Sequence, residues 1–445
     1  MQPGRKRVDY LPGKEDPVMS QKWESHALLG RMAVQALPPW AQEELKNKRP
    51  SGEELSLLPE CNTLLDQLAA SCLMMDWAYD ERFNSYGKQA DTQPIPHMLP
   101  DHSGKGAFFS GNAPDPGKFA QILTGLMEKT LHAYRAENYL DFTRYGGIMG
   151  HFLQDVTAPT HTLTPALTRA LFPDPVPGRL KGMGSMCYRI AEKIAMEEAE
   201  CFPDIPQAVF SLTNKAFQAA DRARYLLGEL LHRAYAGDHA GCEELLTGPA
   251  RDAAMLTAEA FLTVLSIARN KPGSAEISPL PLTKLSPLYH HPDLYAYAPP
   301  GVYCENGLLL PMTLLSAEGN RPCEDGLGMK GHSGMKFFLN KVFHTLEFTL
   351  GLAPFPESMD PRMGLEFTVE TSPDWDPTFS EDMHYGTTPL LTIPLKAGAA
   401  PCRYTVDLGD CTTLVLACKA APYRTEEGGI DFIIPHLGIE KALLY

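Results

Sequence analysis

His151 and Asp155 stand four residues apart in the stretch Gly150-His151-Phe152-Leu153-Gln154-Asp155-Val156-Thr157-Ala158-Pro159-Thr160-His161. The residues before it, Asn138 to Met149, follow a helical pattern, so an imidazole and a carboxylate at i and i+4 share one helix face. Pro159 has no amide proton to continue the ladder and stops the helix about a turn beyond Asp155, which folds the chain back and offers His161 to the same pocket. Two imidazoles and a carboxylate suit a Zn²⁺ site or a cluster of such sites. The same spacing also describes a surface ion pair worth about 0.2–0.5 kcal/mol with a loop histidine beside it. The rest of the chain has to decide.

Three further ligand-type residues precede this stretch. His26 follows Ser25, a candidate N-cap, at the edge of an apolar face made by Leu28, Leu29 and Met32. Taken alone it reads as a core or interfacial histidine. Asp80 lies in the run Trp77-Ala78-Tyr79-Asp80-Glu81-Arg82, which ends another helical stretch, and His97 lies in the proline-bounded loop Pro96-His97-Met98-Leu99-Pro100. Loops of that kind carry functional residues more often than cores do.

The elements that must position these groups are helical. From Trp23 to about Lys271 apolar residues recur at three and four, as in Leu64, Leu68 and Cys72 or Phe119, Ile122, Leu123 and Leu126. Gln207 to Ala236 and Ala250 to Arg269 continue the pattern. Residues 272–301 are proline-rich and read as a linker or wrapping segment. Beyond them, short alternating runs such as Leu346-Glu-Phe-Thr-Leu, Leu365-Glu-Phe-Thr-Val and Thr413-Leu-Val-Leu-Ala read as strands of an antiparallel β-sandwich. The expected fold class is therefore multidomain: an all-α helical domain followed by an antiparallel β-sandwich of jelly-roll type. The expected division is an N-terminal tail 1–22, a helical domain 23–271, a linker 272–301 and a β-domain 302–445.

At 445 residues, two domains are the natural expectation. A net charge of −15 disfavours a surface that coats nucleic acid or adheres generally to anionic lipid. It leaves room for a small phosphate site neutralised by metal. No run reaches the ~20 apolar residues of a transmembrane helix. Residues 1–22 include Arg5, Lys6 and Arg7 but lack the apolar core of a secretory signal, so the chain reads as cytoplasmic. Its ten cysteines are scattered, with no zinc-knuckle pair, and read as reduced thiols. If the protein is exported, Cys402, Cys411 and Cys418 are the ones placed to pair.

The order of the pieces, a Trp/His start, an aspartate after an aromatic helix end, a loop histidine, then HxxxD and a histidine after proline, resembles the zinc-dependent phospholipase C family and its relatives, the zinc-dependent single-strand nucleases. The matching segments are Ser25-His-Ala-Leu-Leu, Trp77-Ala-Tyr-Asp-Glu-Arg, His97-Met-Leu-Pro-Asp and Gly150 to His161. The resemblance covers roughly Trp23 to Lys271 and implies an α-helical cleft holding two or three zinc ions. By it, Asp80, His97, His151 and Asp155 would surround one zinc, Asp155 would bridge to a second that His26 also binds, and His161 would help hold the remaining one with Glu192. Asp80 would also take the proton of the attacking water. Two positions depart from the family pattern: Tyr188 stands where its HxxxE pair has histidine, leaving Glu192, and Trp23 is internal where the family ligates through an N-terminal tryptophan. The family's members are usually secreted.

Gly326 to Met335, Phe343 to Leu352, Tyr404 to Leu416 and Gly429 to Leu437 resemble the carbohydrate-binding jelly rolls called NPCBM domains, over about Tyr303 to Leu444. Read from pattern alone, Phe348, Phe367, Leu414 and Leu416 are sandwich core. Trp375, in Ser372-Pro-Asp-Trp-Asp-Pro, is the candidate for an exposed stacking platform. The function these readings imply is zinc-dependent phosphodiester hydrolysis of phospholipase C type, with a β-module that targets glycans or a membrane. The alternatives are a single-strand nuclease, which the acidic charge disfavours, and a non-catalytic surface- or glycan-binding protein with a degenerate metal site, which Tyr188 favours.

Overall fold

Four side chains set the starts of the long helices. Asp115, Asn138, Asp204 and Asp238 each accept from the backbone N–H three residues on, at Lys118 (3.0 Å), Asp141 (3.2 Å), Gln207 (2.8 Å) and Gly241 (2.9 Å). Each cap satisfies a donor that the first turn otherwise leaves without a partner. The computed structural model describes residues 25–48, 63–73, 109–110, 113–162, 171, 194–271, 273–290, 299–305, 308–376, 387–420, 422–424, 430–432 and 434–445.

The helices are α1 (Ser25–Gln35), α2 (Pro39–Lys46), α3 (Leu64–Ala70), α4 (Pro116–Arg135), α5 (Tyr139–Val156), α6 (Ile205–Tyr225), α7 (Leu227–Ala236) and α8 (His239–Ala268). Helix α5 is the centre of this half. It packs on α4, α8 and the 3₁₀ turn Ser71–Leu73, and almost all its residues from Phe142 onward are buried. Phe119 of α4 and Phe152 of α5 stack 4.6 Å apart in the core. A helix walled on every side has little water with which to solvate polar groups, so the polar residues it carries need partners from neighbouring elements.

The second half is a sandwich of antiparallel sheets. Its strands are β1 (Leu280–Pro281), β2 (Tyr289–His290), β3 (Gly326–Lys330), β4 (Ser333–Phe338), β5 (Thr345–Leu352), β6 (Leu365–Ser372), β7 (Thr388–Leu395), β8 (Cys402–Asp407), β9 (Thr413–Ala420) and β10 (His436–Leu444). One sheet runs β7-β6-β9-β4-β2; the other runs β8-β5-β10-β1, with β3 also paired to β10. Phe348, Phe367, Leu414 and Leu416 all point into the core, as their period of two requires. Strands β1 and β2 fall inside the proline-rich stretch 272–301, which thus lends an edge to each sheet as well as crossing between the halves. The eight described cysteines, Cys402, Cys411 and Cys418 among them, are free thiols.

The halves share a core. Phe338 at the end of β4 is fully buried among the helical-domain side chains, and Phe210 of α6 is buried among those of the sandwich, 5.0 Å from Phe343. Asn214 donates to the Phe338 carbonyl (3.2 Å), tying α6 to β4. Trp375 corrects the expectation of a stacking platform. It is partly buried against the helical core, edge-on to Phe338, under the Lys336 ammonium at 5.2 Å and in contact with the start of α4 at Gly117. It joins the two halves.

Candidate metal centre

Residues from the first helix and from the middle of the helical half converge on Asp155. His26 comes from the first turn of α1, His151 and Asp155 from α5, and His161 from the 3₁₀ turn Pro159–Thr162 that follows the helix. The Nε2 atoms of His151, His26 and His161 lie 3.3, 3.5 and 3.6 Å from the Asp155 carboxylate oxygens. His26, His151 and Asp155 each offer a ligand atom within 4.8 Å of the others. The two imidazoles of that trio pack against each other at a tilt of 33°, centroids 3.9 Å apart. The i,i+4 spacing in α5 and the break after Val156 therefore do what the sequence implies: they bring two histidines and the carboxylate to one point.

Small residues on α5 make the approach possible. A Cβ at Gly147 would lie 2.3 Å from Ser71 Cβ, and one at Gly150 would lie 2.7 Å from Cys72 Sγ. Their absence of side chain lets α5 press on the Ser71–Leu73 turn, and the Cys72 carbonyl then lies 2.8 Å from His151 Nδ1. A carbonyl only accepts, so that nitrogen carries a proton and Nε2 is the atom turned to Asp155. His26 Nδ1 meets Gln154 Oε1 at 2.8 Å, and Gln154 Nε2 reaches Thr257 Oγ1 of α8 at 3.4 Å. Burial of the Cys72 thiol beside this network pushes it up to about 12.

Burial pushes the Asp155 carboxyl up, but the charges of His151, His161 and His26 outweigh it and hold the group well below the usual carboxylate range. Asp155 Oδ1 is fully buried and accepts no hydrogen bond among the described residues. The donor set fits Zn²⁺. Atoms bound to one zinc at ~2.0–2.1 Å in tetrahedral array stand about 3.3 Å apart, close to the 3.3–3.6 Å found here. Charge-assisted hydrogen bonds would draw the same atoms to about 2.7–2.9 Å.

Of the seven residues expected to bind metal, the structure brings together His26, His151, Asp155 and His161. Asp80, His97 and Glu192 lie outside the described residues, as do Trp23 and Tyr188. Sequence reasoning missed Gln154, Thr257 and the Cys72 carbonyl. Gln154 carried one signal, a polar residue three positions past His151 in an otherwise apolar run; the other two carried none.

No family model matches the chain, and no curated protein matches it. Among solved structures, alpha-toxin from an avian strain of Clostridium perfringens aligns over 94% of this chain and 98% of its own, with a TM-score of 0.27 and 11% identity. CBM51 from Clostridium perfringens GH95, in complex with methyl-galactose, aligns over 38% of this chain and all of its own, with a TM-score of 0.27 and 17% identity. The M60 catalytic domain of Clostridium perfringens ZmpB with its CBM51-1 and CBM51-2 domains aligns over 37% of this chain at a TM-score of 0.26 and 14% identity, and this chain spans 15% of that one. No helix among the described residues is long and apolar enough to cross a membrane.

Proposed function

We propose that the chain is a zinc-dependent phosphoric diester hydrolase of phospholipase C type. The observation that carries the reading is the convergence of His26, His151 and His161 on one buried carboxylate, Asp155, from separate elements of an all-helical domain. The order of ligand residues along the sequence supports it.

In such a site Zn²⁺ supplies a Lewis acid that lowers the pKa of a water it polarises toward ~7 and draws charge from phosphoryl oxygens. His26 and His151 present Nε2 lone pairs from rings held by hydrogen bonds at Nδ1. Asp155 contributes a carboxylate kept ionised, and its two oxygens face different histidines, so it would be available to more than one ion. His161, with a fifth of its side chain exposed, marks the side of the cluster nearest solvent, where a diester would enter. Asp80, by its place in the motif, takes the proton of the attacking water. The β-sandwich is proposed to direct the enzyme to a glycan-bearing or lipid surface.

The test is direct. Protein purified without chelators should carry two or three zinc ions by elemental analysis and hydrolyse a phosphatidylcholine analogue faster than single-stranded DNA. His151→Ala and Asp155→Ala should lose metal and hydrolysis together. Wild-type protein that binds no zinc when Zn²⁺ is supplied overturns the reading, and preference for single-stranded DNA moves it to the nucleases.

A further inference from the structure

We infer that Gln154 is a positioning residue that fixes the ring tautomer of His26 for metal binding; the inference rests on the zinc reading above. Gln154 lies on α5 between the ligands His151 and Asp155 and is wholly buried. A buried primary amide has to be satisfied at both ends, and which end faces which neighbour follows from proton bookkeeping.

The chain of constraints begins on α8. Thr257 has one hydroxyl proton, and it is donated to the Ala253 carbonyl at 2.8 Å. Toward Gln154 the Thr257 oxygen therefore offers only lone pairs, so the group facing it must be the Gln154 amide NH₂, 3.4 Å away. That leaves Gln154 Oε1 facing His26 Nδ1 at 2.8 Å, and an amide oxygen only accepts. The proton of neutral His26 is then on Nδ1, and the lone pair is on Nε2, the atom 3.5 Å from Asp155. His151 reaches the same tautomer through the Cys72 carbonyl. Two imidazoles are thus set by two different acceptors to present Nε2 to one carboxylate. The acceptor for His26 is a side chain, which substitution can remove. In the other tautomer the His26 Nε2 carries hydrogen and cannot ligate.

The test uses the full-length protein. Zinc affinity is measured by competition with a chromophoric chelator, and the His26 tautomer by long-range ¹H–¹⁵N correlation on the metal-free protein at a pH high enough to leave the ring neutral. Gln154→Leu should weaken zinc binding by about 10- to 100-fold, the range for lost outer-shell partners, and should give a mixture of His26 tautomers. Gln154→Glu, which keeps an acceptor for Nδ1, should bind closer to wild type. Thr257→Val keeps the packing but removes the acceptor for the amide, so it too should mix the tautomers, and it provides the comparison if Gln154→Leu fails to fold. Wild-type affinity and a single Nδ1–H tautomer in Gln154→Leu or, if that variant fails to fold, in Thr257→Val would overturn the inference and leave the zinc reading standing. No zinc bound by the wild type would overturn both.

Discussion

His26 and His151 pack ring on ring, centroids 3.9 Å apart and planes tilted by 33°, although one opens α1 and the other lies near the end of α5. Two unit charges ~4 Å apart repel by about 4 kcal/mol at an effective dielectric near 20. When both rings are protonated, Asp155, which lies against each of them, supplies the counter-charge.

The acid response follows. Burial raises the Asp155 carboxyl and its histidine neighbours lower it further than burial raises it, so its folded-state value falls below the unfolded 3.8. The folded protein binds that proton more weakly than the unfolded chain does. The stabilisation is therefore complete above the unfolded value and is lost as pH falls through and below it. In metal-free protein, the urea-midpoint difference between wild type and Asp155→Asn should shrink between about pH 5 and pH 2. A difference that stays constant across that interval would contradict an ionised Asp155 in the fold.

Gly147 offers a steric test with its own control. Its added Cβ would lie 2.3–2.4 Å from Ser71 atoms that include backbone, which cannot rotate aside. Gly147→Ala should cost about 1–3 kcal/mol or more, as overpacking does, and should weaken zinc binding by shifting His151 from the Cys72 carbonyl. Gly125, in α4, has nothing within 4 Å of its built Cβ, so Gly125→Ala should stabilise by about 0.4–1 kcal/mol. Equal effects of the two, measured by thermal unfolding, would refute the close approach of α5 to the Ser71–Leu73 turn.

What was legible in the sequence was whatever depends on periodicity within one element. The i,i+4 pair in α5, the stop after it and the period-two core of Phe348, Phe367, Leu414 and Leu416 all belong to that kind. What was not legible depends on which element meets which. The composition around Trp375 marks a loop but not the helical core it faces. Strands β1 and β2 have two residues each, too few to show a period, and exist because β10 and β4 offer them an edge. Gln154 reads as one polar residue among apolar ones until α1 and α8 close on either side of it.

Trp375 gives a third prediction. Its ring is wedged between Phe338 and the start of α4, with Lys336 above it. Trp375→Ala should destabilise by about 2–3 kcal/mol, less than the ~3–5 kcal/mol of a wholly buried aromatic. The loss should fall on the junction: a single unfolding transition in the wild type should separate into two, one for each half. If the ring were instead a ligand platform, the substitution would abolish glycan binding and leave the melting curve unchanged.

Zinc itself should stabilise the fold by mass action, because the ligands converge only when α1, α5 and the Pro159–Thr162 turn are in place. At free Zn²⁺ one hundred times the dissociation constant, a single site adds about 2.7 kcal/mol. Chelation of purified protein should remove that increment, and re-addition of Zn²⁺ should restore it. His151→Ala removes a ligand from the most buried part of the cluster and should remove the zinc-dependent part of the melting shift. His161 is the most exposed of the three imidazoles, so His161→Ala should retain a part of it. The order of loss, His151 before His161, separates a built metal centre from a set of ion pairs that zinc happens to visit, for which the exposed histidine would matter as much as the buried one.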